Sequence, residues 1–172
     1  MDLVMVALRL LHIVSGVLWA GGAALFFFYL EPTMNKLGPD AEPFVDEVMN
    51  KRKAPVYFMV VSTLAVLGGA LLYWRDSSGL SSDWVTSATG LAFGFGGLCA
   101  LVAWLGGNLL IPSGVRTISA VGAEMKAAGG PPSAELVGRM HAAQARLRLV
   151  GLIDIVLIFT AIVGMASARY LG

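Results

Sequence analysis

Apolar residues in this chain are gathered into four long runs, covering about 3–30, 54–74, 84–111 and 149–170, with charged and turn-forming residues between them. At a rise of about 1.5 Å per residue, each run is long enough to cross about 30 Å of hydrocarbon. A backbone in lipid must satisfy its own N–H and C=O groups, so each run predicts a helix. The expected fold is all-α, a bundle of four transmembrane helices forming a single domain over 1–172.

The segments between the runs also carry helical signals. Over 40–53, Asp40 is placed to cap a short helix with Phe44, Val45, Val48 and Met49 on one face and Lys51-Arg52-Lys53 after it, as expected of a segment lying on a membrane surface. Past Pro112, Val115, Ile118, Val121 and Met125 keep helical spacing, and Gly129-Gly130-Pro131-Pro132 makes a turn before Ser133, a good N-cap. From there Leu136, Met140, Ala143, Leu147, Val150, Asp154, Leu157 and Ala161 recur at steps of four and three, which is a helix-packing seam. The pattern predicts that the third and fourth helices extend over 113–147 as an antiparallel hairpin. The first run is not expected to be a cleaved leader: it opens with Asp2 and runs into Glu31-Pro32 without a small-residue cleavage site.

Composition changes the picture in one respect. Of 172 residues, 57% are hydrophobic and only 13% charged, about half the charge of a soluble domain. A net charge of +1 with no basic stripe sets nucleic acid aside as a partner. Cys99 is the lone cysteine, so no intramolecular disulfide or thiolate metal cluster can form.

The placement of Lys and Arg gives an expected orientation. Lys36, Lys51, Arg52 and Lys53 follow the first run, and Arg116, Lys126, Arg139, Arg146 and Arg148 follow the third; the opposite side holds Arg9, Arg75 and Arg169. The positive-inside rule then puts both termini outside and the longer loops in the cytoplasm, in a bacterial cytoplasmic (inner) membrane. The expected surroundings are the lipid bilayer and either further copies of the chain or other membrane subunits.

An internal echo is visible. Residues 19–25 read WAGGAAL and 104–110 read WLGGNLL, while Thr63, Val66 and Tyr73 match Thr160, Val163 and Tyr170 in spacing. Two readings stay open: a parallel two-plus-two repeat, or coincidence among abundant Gly, Leu and Val. Aligned this way, Asp154 stands opposite Tyr57, Met165 opposite Gly68, and His12 opposite Gly97, so any site is asymmetric. The glycines Gly16, Gly21, Gly22, Gly90, Gly94, Gly106 and Gly107 are read as places where helices approach closely.

Ionisable residues inside the runs need a reason, since each costs about 2.5–3.5 kcal/mol to insert. Arg9 is near enough to the end of its run to act as an interfacial anchor. His12 is either a packed histidine bonded across a helix interface or an axial haem ligand, with Met165 as its partner at similar depth. Met165 has its own bland reading as core filler. Asp154, with Asn108 and Thr63 (or Ser62) at similar depth, forms either a polar lock between helices or a proton or ligand site.

The segment Leu11-His12-Ile13 through Trp19 and Gly21-Gly22 resembles the first helix of the copper-resistance D type membrane proteins and of the HemJ-type protoporphyrinogen oxidases. That resemblance implies haem association through His12. The stretch GGPPSAELVGRMHAAQARLR and the terminal MASARYLG resemble a family of small four-helix integral membrane proteins without an assigned role. Enzymatic activity is not called for by any motif. The leading expectation is a cofactor-free accessory or assembly subunit of a membrane complex. The alternatives are a b-type haem redox protein using His12, and a small oligomeric transporter of a metal ion or solute using Asp154 and Asn108.

Overall fold

The computed structural model describes residues 2–171, apart from the side chain of Pro39. Every regular element among the described residues is helical. Helix α1 runs Leu3–Leu37, α3 Ala54–Asp76, α5 Ala88–Ala127 and α6 Ala134–Ala168, and all four are long and apolar enough to cross a membrane. Between them lie a 3-10 turn at Gly38–Ala41 and two short α-helices, α2 at Glu42–Asp46, prolonged by a wide turn at Glu47–Lys51, and α4 at Ser82–Val85.

Side-chain caps set the starts of three of the long helices. Asp2 Oδ1 accepts the backbone N–H groups of Val4 at 3.0 Å and Met5 at 3.2 Å. Ser87 Oγ accepts from Gly90 at 3.0 Å, and Ser133 Oγ from Leu136 at 3.2 Å. Each answers a donor that a helix start leaves without a partner. Asp40 does not act this way: α2 follows Ala41 with no side-chain cap.

Helix α1 does not end at Leu30 as the apolar run implied. It passes through a π turn at Phe26–Leu30 and continues past Pro32 to Leu37. Helix α5 repeats the device, with a π turn at Gly106–Leu110 and Pro112 just after it. Proline has no N–H to donate and its ring crowds the carbonyl one turn back; a widened turn carries the helix past it without a break.

Packing divides the molecule into two helical hairpins, α1 with α3 and α5 with α6, joined through α3 against α5. In the second hairpin, Gly96 lies against Met165, Gly106 against Asp154, Gly114 against Leu147 and Gly122 against Met140. One side rises as the other falls, so the pair stays antiparallel along its whole length. Beyond the most apolar stretch, Arg139 grips both carboxylate oxygens of Glu124 at 2.6 and 3.1 Å. Lys126 reaches Glu42 at 2.6 Å and ties this stalk to the α2 loop. The buried core gathers Trp19, Val61, Ala65, Ala103 and Ile158, one or two residues from each long helix.

Gly90 is fixed by sterics, because a Cβ there would run into the backbone carbonyl of Trp84 in the turn from α4.

Candidate functional site

Three polar sites within this bundle differ in how they are answered: those at His12 and at Trp104 and Asn108 have partners on a neighbouring helix, and the one at Asp154 does not. In the first hairpin, His12 projects from α1 into α3. Its Nδ1 lies 2.7 Å from the carbonyl oxygen of Ala65. A carbonyl only accepts, so Nδ1 carries the proton and donates it. The imidazole lies on Gly69, where a Cβ would come within 2.9 Å of Cε1, and the Cβ of His12 itself packs on Gly68. The glycine pair Gly68-Gly69 on α3 is therefore the seat of the histidine ring. Spacing pointed to other glycines, although a Gly-Gly pair in mid-run was the available signal.

The second group sits between α3 and α5. Trp104 Nε1 donates to Thr63 Oγ1 at 3.0 Å. Asn108 Nδ2 donates to the carbonyl of Trp104 at 2.8 Å and to Ser62 Oγ at 3.4 Å. The bonds to Thr63 and Ser62 cross between the two helices, where each is worth about 0.6–2 kcal/mol, while the bond from Asn108 to Trp104 stays within α5.

Asp154 stands apart from both. The expected cluster of Asp154, Asn108 and Thr63 is split: Asn108 and Thr63 serve the α3–α5 lock, whereas the Asp154 carboxylate rests on Gly106 and Gly107 of α5. A Cβ on Gly106 would collide with Oδ1, and one on Gly107 would come within 3.2 Å of Oδ2. Asp154 is only 9% exposed, yet no side-chain donor or cation among the described residues partners it. It faces a groove of about 280 Å³ between α5 and α6, lined otherwise by Val102, Leu105, Leu109, Leu110, Ile153 and their neighbours. The floor of this groove is the π turn, and Ile111 N–H bonds back to Gly106 O there while Pro112 has no N–H to give.

The remaining glycines divide by what they touch. Gly22 receives the ring of Phe58 and Gly94 the hydroxyl of Tyr73. A Cβ added at Gly16 or Gly21 would meet nothing within 4 Å, so no neighbouring helix among the described residues requires a glycine at either position. Gly96, which spacing did not single out, takes Met165, whose Cγ would lie 2.9 Å from an added Cβ.

Met165 therefore packs inside the second hairpin and His12 inside the first. The space that glycines would leave for a macrocycle is filled at Gly69 by the imidazole itself. These placements do not fit a haem held between His12 and Met165. No group of three or more His, Cys, Asp or Glu side chains able to hold a metal occurs among the described residues. No protein family, curated protein or solved structure matches the chain.

Proposed function

We propose that the chain is an integral membrane protein with four crossings and both termini outside a bacterial cytoplasmic membrane, and that it works as a small oligomeric transporter whose binding group is Asp154. The observation that carries this reading is the carboxylate itself. A buried, unpaired acid in an apolar segment is costly, and a protein has reason to keep one chiefly where a ligand or proton answers it. The other intramembrane polar candidates, His12, Asn108 and Thr63, already have partners inside the chain, which leaves Asp154 as the group free to bind.

The same reading takes the two hairpins as copies of one repeat. Gly22 meets Tyr57 and Gly107 meets Asp154, and these are the positions that the tryptophan and tyrosine alignments equate. The repeat would supply the scaffold and the substitution of Tyr57 by Asp154 the site.

The test is charge movement on proteoliposomes after a jump in metal ion or amine concentration. Wild-type protein gives a current with some solute, and Asp154→Asn at equal incorporation gives none. Silence of the wild type toward all solutes removes the reading.

A second reading, the accessory or assembly subunit, is favoured by the outer face of α1. There Gly16 and Gly21 are open and Val17 is 66% exposed. Since Cys99 is buried, a Val17→Cys variant reports on this face by disulfide capture in native membranes. Capture of a distinct protein supports the subunit reading, and monomer alone opposes it.

A further inference from the structure

We propose that the α5–α6 groove takes a lipophilic organic cation from the acyl-chain phase, with its positive centre against Asp154 and its apolar groups against the leucines. This rests on the binding role given to Asp154 above and names the substrate class.

Three observations set the chemistry. First, the ligand must be positive or a strong donor, because the group that faces it is a carboxylate with no partner among the described residues. Second, the rest of the wall is aliphatic: Val102, Leu105, Leu109, Leu110, Val150, Ile153 and Leu157, with the backbone of Gly106. A hard metal ion takes about six oxygen ligands and gives up its water reluctantly, and this wall offers it one carboxylate. An organic cation instead carries its own apolar shell, which gains from such a wall at about 25 cal/mol per Å². Third, the rim is made of outward-facing side chains, with Leu109 61% and Ile153 50% exposed, so the mouth opens where lipid tails would lie. A volume of about 280 Å³ is just under the roughly 300 Å³ at which small-molecule sites begin, so the bound cation would extend past the open rim. Asn108 adds nothing here, since its amide is turned to Ser62 and Trp104.

The experiment is equilibrium binding of radiolabelled tetraphenylphosphonium to the full chain in lipid nanodiscs. Its negatively charged isostere, tetraphenylborate, serves as competitor. The expected result is saturable binding of one cation per chain, no competition by the anion, and a loss of more than about tenfold in affinity in Asp154→Asn. Should that variant misfold, Leu109→Trp narrows the mouth from the exposed side and is expected to give the same loss. Binding unchanged in the folded variants, or equal competition by the anion, overturns the inference. Charge movement with an inorganic ion but no tetraphenylphosphonium binding overturns it too and leaves the transporter reading standing. Binding without any transport does the reverse.

Discussion

Each hairpin sets a glycine of its Trp-x-Gly-Gly segment against a side chain of the neighbouring helix, Gly22 against Tyr57 and Gly107 against Asp154, and the two contacts are resolved in opposite ways. In α1–α3, Gly22 receives Tyr57 and Phe58, and the Tyr57 hydroxyl donates to the carbonyl of Leu18 at 3.2 Å. In α5–α6, Gly107 and Gly106 receive Asp154, which is left without a donor. The first contact is closed and internally satisfied. The second keeps an acid in an apolar wall beside open space. Similar backbone packing thus serves stability in one half and leaves chemistry available in the other.

The sharpest way to break this comparison is to fill the seat of the acid. Gly106→Leu forces α5 and α6 apart at Asp154 and is expected to cost about 3 kcal/mol, the upper range for overpacking. Gly97→Leu, where nothing lies within 4 Å, is expected to cost little. Thermal unfolding in detergent followed by helical circular dichroism compares them, and equal losses would show that Gly106 is not a packing constraint.

Next in size is a change of opposite sign. Asp154→Leu replaces an unpaired buried acid by an apolar side chain of similar shape, and is expected to raise stability by about 2 kcal/mol while removing binding. Tyr57→Leu, at the matching place in the first hairpin, loses a hydrogen bond and is expected to lower stability by about 0.6 kcal/mol. A destabilised Asp154→Leu would mean that the acid locks the helices, and the contrast between the halves would vanish.

Much of this arrangement could be read from the chain before its coordinates. The four apolar runs locate the long helices because lipid-length hydrophobic segments admit few other structures. Ser133 and the Gly-Pro turn before it locate the start of α6 because each supplies a specific backbone need. What escaped was rotational phase. Depth along the runs joins Asn108 to Asp154, but depth does not fix which face a residue presents: Asn108 lies inside a π turn, and its amide meets Ser62 and Trp104 instead. The same turn carries α1 beyond Glu31, where charge and proline together read as an end. Glycines were ambiguous for a related reason: Gly16 and Gly69 look alike in sequence, and only the neighbouring helix decides that one is open and the other holds an imidazole.

The closed hairpin has its own test. His12→Ala removes the Nδ1–H bond to Ala65 and the ring seated on Gly69, with an expected cost of about 1–2 kcal/mol. Nitrogen-15 spectra of the wild type are expected to show Nδ1 protonated and Nε2 bare. The opposite tautomer would show that the histidine is not held by α3, and the first half would lose its claim to be internally satisfied.

The smallest effect lies at the tip of the α5–α6 stalk and asks whether the second hairpin is held there as firmly as in its apolar part. Hydrogen bonding to Arg139 holds the Glu124 carboxyl below its usual range. A depressed value in the folded state means that the pair stabilises the stalk above the ordinary carboxylate range and that this help is lost as pH falls through the lowered value. Both partners are exposed, so the contribution is modest and weakens with salt. Protection factors over 127–133, which allow for the intrinsic slowing of exchange in acid, should therefore fall on acidification from neutral pH, more at low salt than at high. Glu124→Gln should exchange faster at neutral pH and respond less to acid. If wild type and variant respond alike, the stalk is held by Leu147 on Gly114 and Met140 beside Gly122 instead, and apolar packing governs the second hairpin from end to end.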